Sequence, residues 1–226
     1  MTSLAALTAL CMPPAVVPPA PDWSQIEDTL GMPLPQDYKD LITTYGPGQF
    51  GGFITLCQPY VPSEWADLTG PMPARLRQQI EEVRQAARDP WQLPQSPENL
   101  FAMGVTGNGD YLFWVTQPAD SPDRWIVAVN EALRASWFAY NGSVTEFLVS
   151  VLSGTTSVPM FPADLLDHTP AFIPSTLESS TPAAAARTSV STRAIRAWAN
   201  ANGYDLPERG RIPSEIIDAW KRENPS

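Results

Sequence analysis

"DWSQIEDTLGMPLPQDYKDLITTYGPGQFGGFI", residues 22–54, holds the pattern from which the fold is read. Asp22 is a good helix cap, Trp23, Ile26 and Leu30 share one helical face, and Gly31 supplies a stop. A second helix is predicted after Pro35, where Tyr38, Leu41, Ile42 and Tyr45 recur at i, i+3, i+4 and i+7 before Gly46. "FGGFITLCQ", residues 50–58, then reads as a strand.

Working outward, residues 74–87, "ARLRQQIEEVRQAA", keep Leu76, Ile80 and Val83 on one stripe and charge on the other, which predicts a surface helix. Three apolar and β-branched runs follow, "LFAMGV", "YLFWVT" and "RWIVAVN", then the shorter "SWFAY" at 136–140. Ser143 with Glu146 forms a capping box ahead of "FLVSVLSG". Helices first and strands later predict an α+β domain over residues 21–154, with flanking helices on a sheet rich in antiparallel pairs.

Composition narrows the function. The formal net charge is −10, yet residues 187–226 hold seven basic and five acidic side chains, so this tail is +2 and the remainder −12. The acidic part repels nucleic-acid phosphates and suits a basic protein, whereas the tail tolerates DNA. No run of 18 apolar residues exists, so no membrane span is expected. Leu4 to Met12 is apolar but lacks a basic leader and a clean cleavage site, so a cytoplasmic protein is expected. Cys11 and Cys57 are too few for a disulfide framework and read as free thiols. Five prolines between 13 and 21 suggest a Pro-rich N-terminal lead over residues 1–20. The Ser/Thr/Ala/Pro-rich stretch 155–188 lacks apolar periodicity and reads as a flexible linker.

Catalytic chemistry is scarce. The one histidine, His168, falls in the linker stretch, and no CxxC or HExxH spacing exists, so no metal or cofactor is expected and the protein reads as a non-enzyme. "GVTGNGD", residues 104–110, lacks the Lys-Ser/Thr of a phosphate loop, and its Asn108-Gly109 fits a tight hairpin. Glu81 and Glu82 lie on the polar face of the surface helix, where i,i+4 pairing accounts for them. Trp65 and Trp91 fall between elements, as partner anchors or as covers for the edge of the core.

The Leu-Pro-x-Asp-Tyr-Lys and Tyr-Gly-x-Gly elements within residues 22–54, with "GVTGNGDYLFWVT", "WIVAVN" and "SVTEFLVSVLSG", resemble the SUKH superfamily of Smi/Knr-type domains over roughly residues 21–154. The resemblance implies a protein-binding domain of the kind found in regulatory scaffolds and in immunity proteins that neutralise toxins. It carries no shared catalytic set.

Residues 189–226 read as helix, loop, helix. Ser191 caps a segment whose Ile195, Trp198 and Ala199 form an apolar face, Asn202-Gly203 ends it, and Pro213 opens a second helix with Ile216, Ile217 and Trp220. The spacing of Trp198, Gly203, Arg209, Gly210, Arg211, Ile212 and Pro213 resembles the C-terminal DNA-binding domain of Lsr-type, H-NS-like nucleoid-structuring proteins. That resemblance implies a nucleoid-associated protein in which Arg209-Gly210-Arg211 enters the minor groove of AT-rich DNA, like an AT-hook. Arg193 and Arg196 are then candidate phosphate contacts. The helix-loop-helix plan is also similar to the peripheral subunit-binding domain of acyltransferases, but its Gly-Thr-Gly element and any lipoyl region are lacking.

Two functions therefore stand side by side. One is a DNA-associated adaptor or regulator that also binds a protein. The other is a toxin-immunity protein whose acidic domain neutralises a basic toxin.

Overall fold

The computed structural model describes residues 2–86, 93–167 and 169–175. The chain divides into two units, Met1–Thr176 and Leu177–Ser226. All that follows concerns the first.

Its helices among the described residues are α1 (Ser3–Leu10), α2 (Trp23–Leu30), α3 (Gln36–Tyr45), α4 (Met72–Ala86) and α5 (Val144–Leu152). The strands are β1 (Gly48–Phe50), β2 (Ile54–Leu56), β3 (Leu100–Thr106), β4 (Tyr111–Val115), β5 (Ile126–Asn130), β6 (Trp137–Tyr140) and β7 (Phe172–Pro174). They form one sheet in the order β6-β5-β4-β3-β2-β1-β7, and every neighbouring pair is antiparallel. The α+β reading therefore holds.

Several local signals act as expected. The Asp22 carboxylate accepts the Gln25 backbone N–H at 3.2 Å, and Gly31 ends α2 in the left-handed region at φ 67°. The Ser143 and Glu146 side chains satisfy each other's backbone N–H groups at the start of α5. "GVTGNGD" is the β3–β4 hairpin, with Gly109 at φ 86°.

Residues 50–58 differ from the single strand expected. Gly51 and Gly52 both adopt positive φ, and the Phe53 N–H donates to the Phe50 carbonyl at 3.1 Å. Two consecutive left-handed residues make a tight primed turn, so the segment folds back as the β1–β2 hairpin.

The ends of the unit also differ from the sequence reading. Residues 1–20 contain α1, capped by Thr2, with Leu7 and Cys11 fully buried and the helix packed on α5. An apolar run of this length is too short to span a bilayer, but here it is covered by the core, and Pro13 stops it soon after Cys11. Within residues 155–188, Val158 is buried, Phe161 packs on Phe53 at 5.1 Å, and Phe172 lies 4.9 Å from Tyr45 and 4.8 Å from Phe50. Each of these anchors acts singly rather than at a helix or strand period, which is why no periodicity marks them. His168 lies outside the described residues, as does the part of that stretch from 176 onward.

The core is rich in aromatic rings. Tyr38 meets Trp114 edge-on at 4.9 Å and donates its hydroxyl to the Cys57 carbonyl at 2.5 Å. Tyr45 likewise donates to the Cys11 carbonyl at 2.7 Å. Both cysteines are free and buried, and burial pushes the Cys57 thiol up to about 12 and raises that of Cys11. Burial thus disfavours the thiolate form of both.

Asp110, at the end of the β3–β4 turn, is nearly inaccessible, and burial raises its pKa despite a 3.0 Å hydrogen bond from the Thr106 hydroxyl. The folded protein thus binds this proton more tightly than the unfolded chain. Stability is therefore lost as pH rises from the usual aspartate range through the raised value. Asn retains an acceptor for Thr106 without a charge to bury. Asp110→Asn is expected to raise the urea midpoint at pH 7, and the gain should shrink as pH falls from the raised value toward about pH 4. A loss at pH 7 would mean that the charge itself is needed in the turn.

Candidate functional site

Several carboxylates of the first unit are engaged structurally. Asp37 of α3 accepts the Thr145 N–H and hydroxyl, each at 3.0 Å, tying α3 to α5. Glu27 takes the Leu34 N–H at 2.8 Å and the Lys39 ammonium at 2.9 Å, holding the α2–α3 connection. Glu81 is held by Arg84 and Gln85, and Glu82 by Gln78, all on α4. Among the described residues, no group of three histidine, cysteine or acidic side chains is placed to hold a metal.

The distinctive surface is the loop between β2 and α4. Its ends are zipped together, since the Gln58 N–H donates to Ala66 O at 2.7 Å and the Leu68 N–H returns to Gln58 O at 2.9 Å. Leu68 is fully buried and plants the loop in the core. Asp67 organises the interior of the loop, its Oδ1 accepting from the Tyr60 N–H at 3.0 Å, the Thr69 N–H at 3.0 Å and the Thr69 hydroxyl at 2.7 Å. Tyr60 sits at φ 57°, a left-handed conformation that an aromatic residue adopts only at a cost in free energy.

Two large rings of the loop lie outside the core. Trp65 is 61% exposed and Tyr60 58% exposed. The Tyr60 hydroxyl lies 3.4 Å from that of Thr29 on α2, which steadies the ring from the side. Glu64, next to Trp65, pairs with Arg75 on the surface, and both side chains are too exposed for the pair to add much stability. Of the two tryptophans read as anchors or covers, Trp65 is mostly exposed and does not pack against the core, and Trp91 lies outside the described residues. The aspartate two residues after Trp65, and the turn chemistry it supports, are the signals that sequence reading missed. The loop can present exposed aromatic faces to another molecule.

Arg193, Arg196, Arg209, Gly210 and Arg211 also lie outside the described residues.

The family model described as SMI1-KNR4 cell-wall matches residues 21–148, more than half of the chain. The chain belongs to that family. The model of the Lsr2 DNA-binding domain matches residues 187–222, so the protein joins a SUKH domain to a C-terminal DNA-binding domain. The SUKH domain supports a role in protein interaction or immunity, and the second domain supports DNA binding and association with the nucleoid. Neither the curated proteins nor the solved structures searched gave a match. Among the described residues, no helix is long and apolar enough to cross a membrane.

Proposed function

We propose that this SUKH-family protein is a non-enzymatic, DNA-associated adaptor. In this reading Arg209-Gly210-Arg211 binds the minor groove of AT-rich DNA, while the first unit holds a protein partner through Tyr60 and Trp65. The observation that carries it is the DNA-binding domain at residues 187–222, which contains all three residues of the motif.

The chemistry supports the assignment. The minor groove is only about 6 Å wide and mainly separates A·T from G·C, so extended arginines suit it and helices do not. Narrow A·T tracts concentrate negative potential that attracts guanidinium groups. Glycine between the arginines omits the Cβ that would hold the backbone off the groove floor. Arg193 and Arg196 then take phosphates, fixing orientation rather than sequence. Fluorescence anisotropy on AT-rich and GC-rich duplexes tests the reading, and equal affinity for both would overturn it.

The second reading, immunity against a basic toxin, draws on the −12 charge of residues 1–186 and on the exposed loop. Exposed tryptophans that fill a partner's pocket carry much of an interface's energy. Trp65→Ala is expected to leave the unfolding midpoint unchanged and to weaken partner capture by at least about 2 kcal/mol, read by calorimetry or pull-down. A toxin-like gene beside this one would favour immunity, and its activity should then fall when the protein is added. Undiminished capture by Trp65→Ala would remove the loop from either reading.

A further inference from the structure

We propose that the protein forms a two-fold dimer by antiparallel pairing of β6 with β6 of a second copy, joining two seven-stranded sheets into one.

β6 is an edge strand, bonded only to β5. The Glu131 N–H donates to the Ser136 carbonyl at 3.1 Å, and the register pairs Asn130 with Trp137 and Val129 with Phe138. Backbone groups alternate along an antiparallel ladder, so Ser136, Phe138 and Tyr140 face β5, whereas Trp137 and Ala139 turn their N–H and C=O groups outward. Among the described residues these outward groups meet no partner. The usual guards of an edge are also missing, since β6 holds no proline or charge. By contrast β7, at the other edge, ends in Pro174.

A second copy fits this edge. A two-fold axis through Phe138 sets Trp137 of each copy opposite Ala139 of the other, and such pairs exchange both hydrogen bonds, giving four in all. Two acidic bodies should repel, but no charged residue lies between 135 and 145, so the contact strip is neutral. The chain leaves the first unit after β7, and with strands about 4.8 Å apart that exit is roughly 30 Å across the sheet from β6. Two exits per dimer would give the DNA-binding domains avidity, a consequence that rests on the proposed DNA reading, whereas the pairing itself does not.

Sedimentation of the full chain across roughly 1–100 μM tests the pairing without DNA. The expected result is a species of twice 24.7 kDa at the upper end. Ala139→Pro removes two of the four bonds while leaving the β5 ladder intact, and Ala139→Glu, at an exposed position next to Phe138, sets one carboxylate from each copy on the neutral strip. Each is expected to weaken the dimer at least about tenfold with an unchanged unfolding midpoint. If Ala139→Pro fails to fold, Ala139→Glu decides. Hydrogen exchange should slow at Trp137 and Ala139 as the protein is concentrated. A monomer throughout, or a dimer indifferent to Ala139→Glu, overturns the proposal. So does a monomer whose β6 amides become protected only when a different protein is added.

Discussion

Replacing Arg209 and Arg211 together with alanine is expected to lower affinity for an AT-rich duplex by about a hundredfold or more and to erase the preference over GC-rich DNA. Each groove-reading arginine contributes on the order of 1–3 kcal/mol of discrimination, and a small module has few other contacts over which to spread the loss. The control is Arg193→Ala with Arg196→Ala. Phosphate contacts set the salt dependence, so this pair should weaken both duplexes alike and flatten the dependence of log K on log salt by about two. The wild-type slope should itself be shallow, reflecting about three or four phosphates. Titrations by fluorescence anisotropy at two salt concentrations separate the cases. An arginine-free motif that still prefers AT-rich DNA would show that the preference arises elsewhere in residues 187–222.

Glu208 immediately precedes the motif. A carboxylate there is repelled by phosphate unless it points away from the groove, and this opposes the attraction that Arg209 supplies. The acidic body adds to that opposition at low salt, where screening is weakest. If Arg209-Gly210-Arg211 binds DNA as proposed, both effects are expected to weaken that binding.

How much of this was legible in the sequence depends on how each element is specified. α2, α3 and α5 announce themselves because cap, period and stop are local, and Asp22, Ser143 with Glu146, Gly31 and Gly46 each act within a few residues. The β3–β4 hairpin is equally local, carried by Asn108-Gly109. The Gly51-Gly52 turn was hidden inside an apolar run because a glycine pair can either continue or reverse a strand, and only tertiary pairing chooses. β7 and the anchors Val158, Phe161 and Phe172 were hidden because their partners, Phe50, Phe53 and Tyr45, are more than a hundred residues away. For the candidate site, Trp65 was visible as a large ring between elements. The folding of its loop was not, because it depends on Asp67 reaching the Tyr60 and Thr69 N–H groups, a geometry that spacing does not encode. The role proposed for Arg209-Gly210-Arg211 rests on residue identity alone, since those residues lie outside the described ones.

The largest effect on stability is expected from Leu7→Ala. α1 has only eight residues, and an isolated helix shorter than about 12–15 residues is not stable in water, so packing must hold it. Leu7 is its one fully buried helical side chain, set against α5, and truncating a buried leucine costs about 2–5 kcal/mol. Against a domain stability of roughly 5–15 kcal/mol, such a loss should move the urea midpoint well down at an unchanged slope. The Tyr45 hydroxyl gives an internal check. It donates to the Cys11 carbonyl just beyond the helix, so Tyr45→Phe leaves a buried acceptor unpaired at about 1–3 kcal/mol. If α1 docks as a unit, a chain already carrying Leu7→Ala has partly released Cys11, and the second substitution then costs less. The double variant should therefore fall short of the sum of the singles. Strict additivity would mean that the helix and the Cys11 contact are held independently, and an unchanged midpoint for Leu7→Ala would remove residues 3–10 from the core altogether.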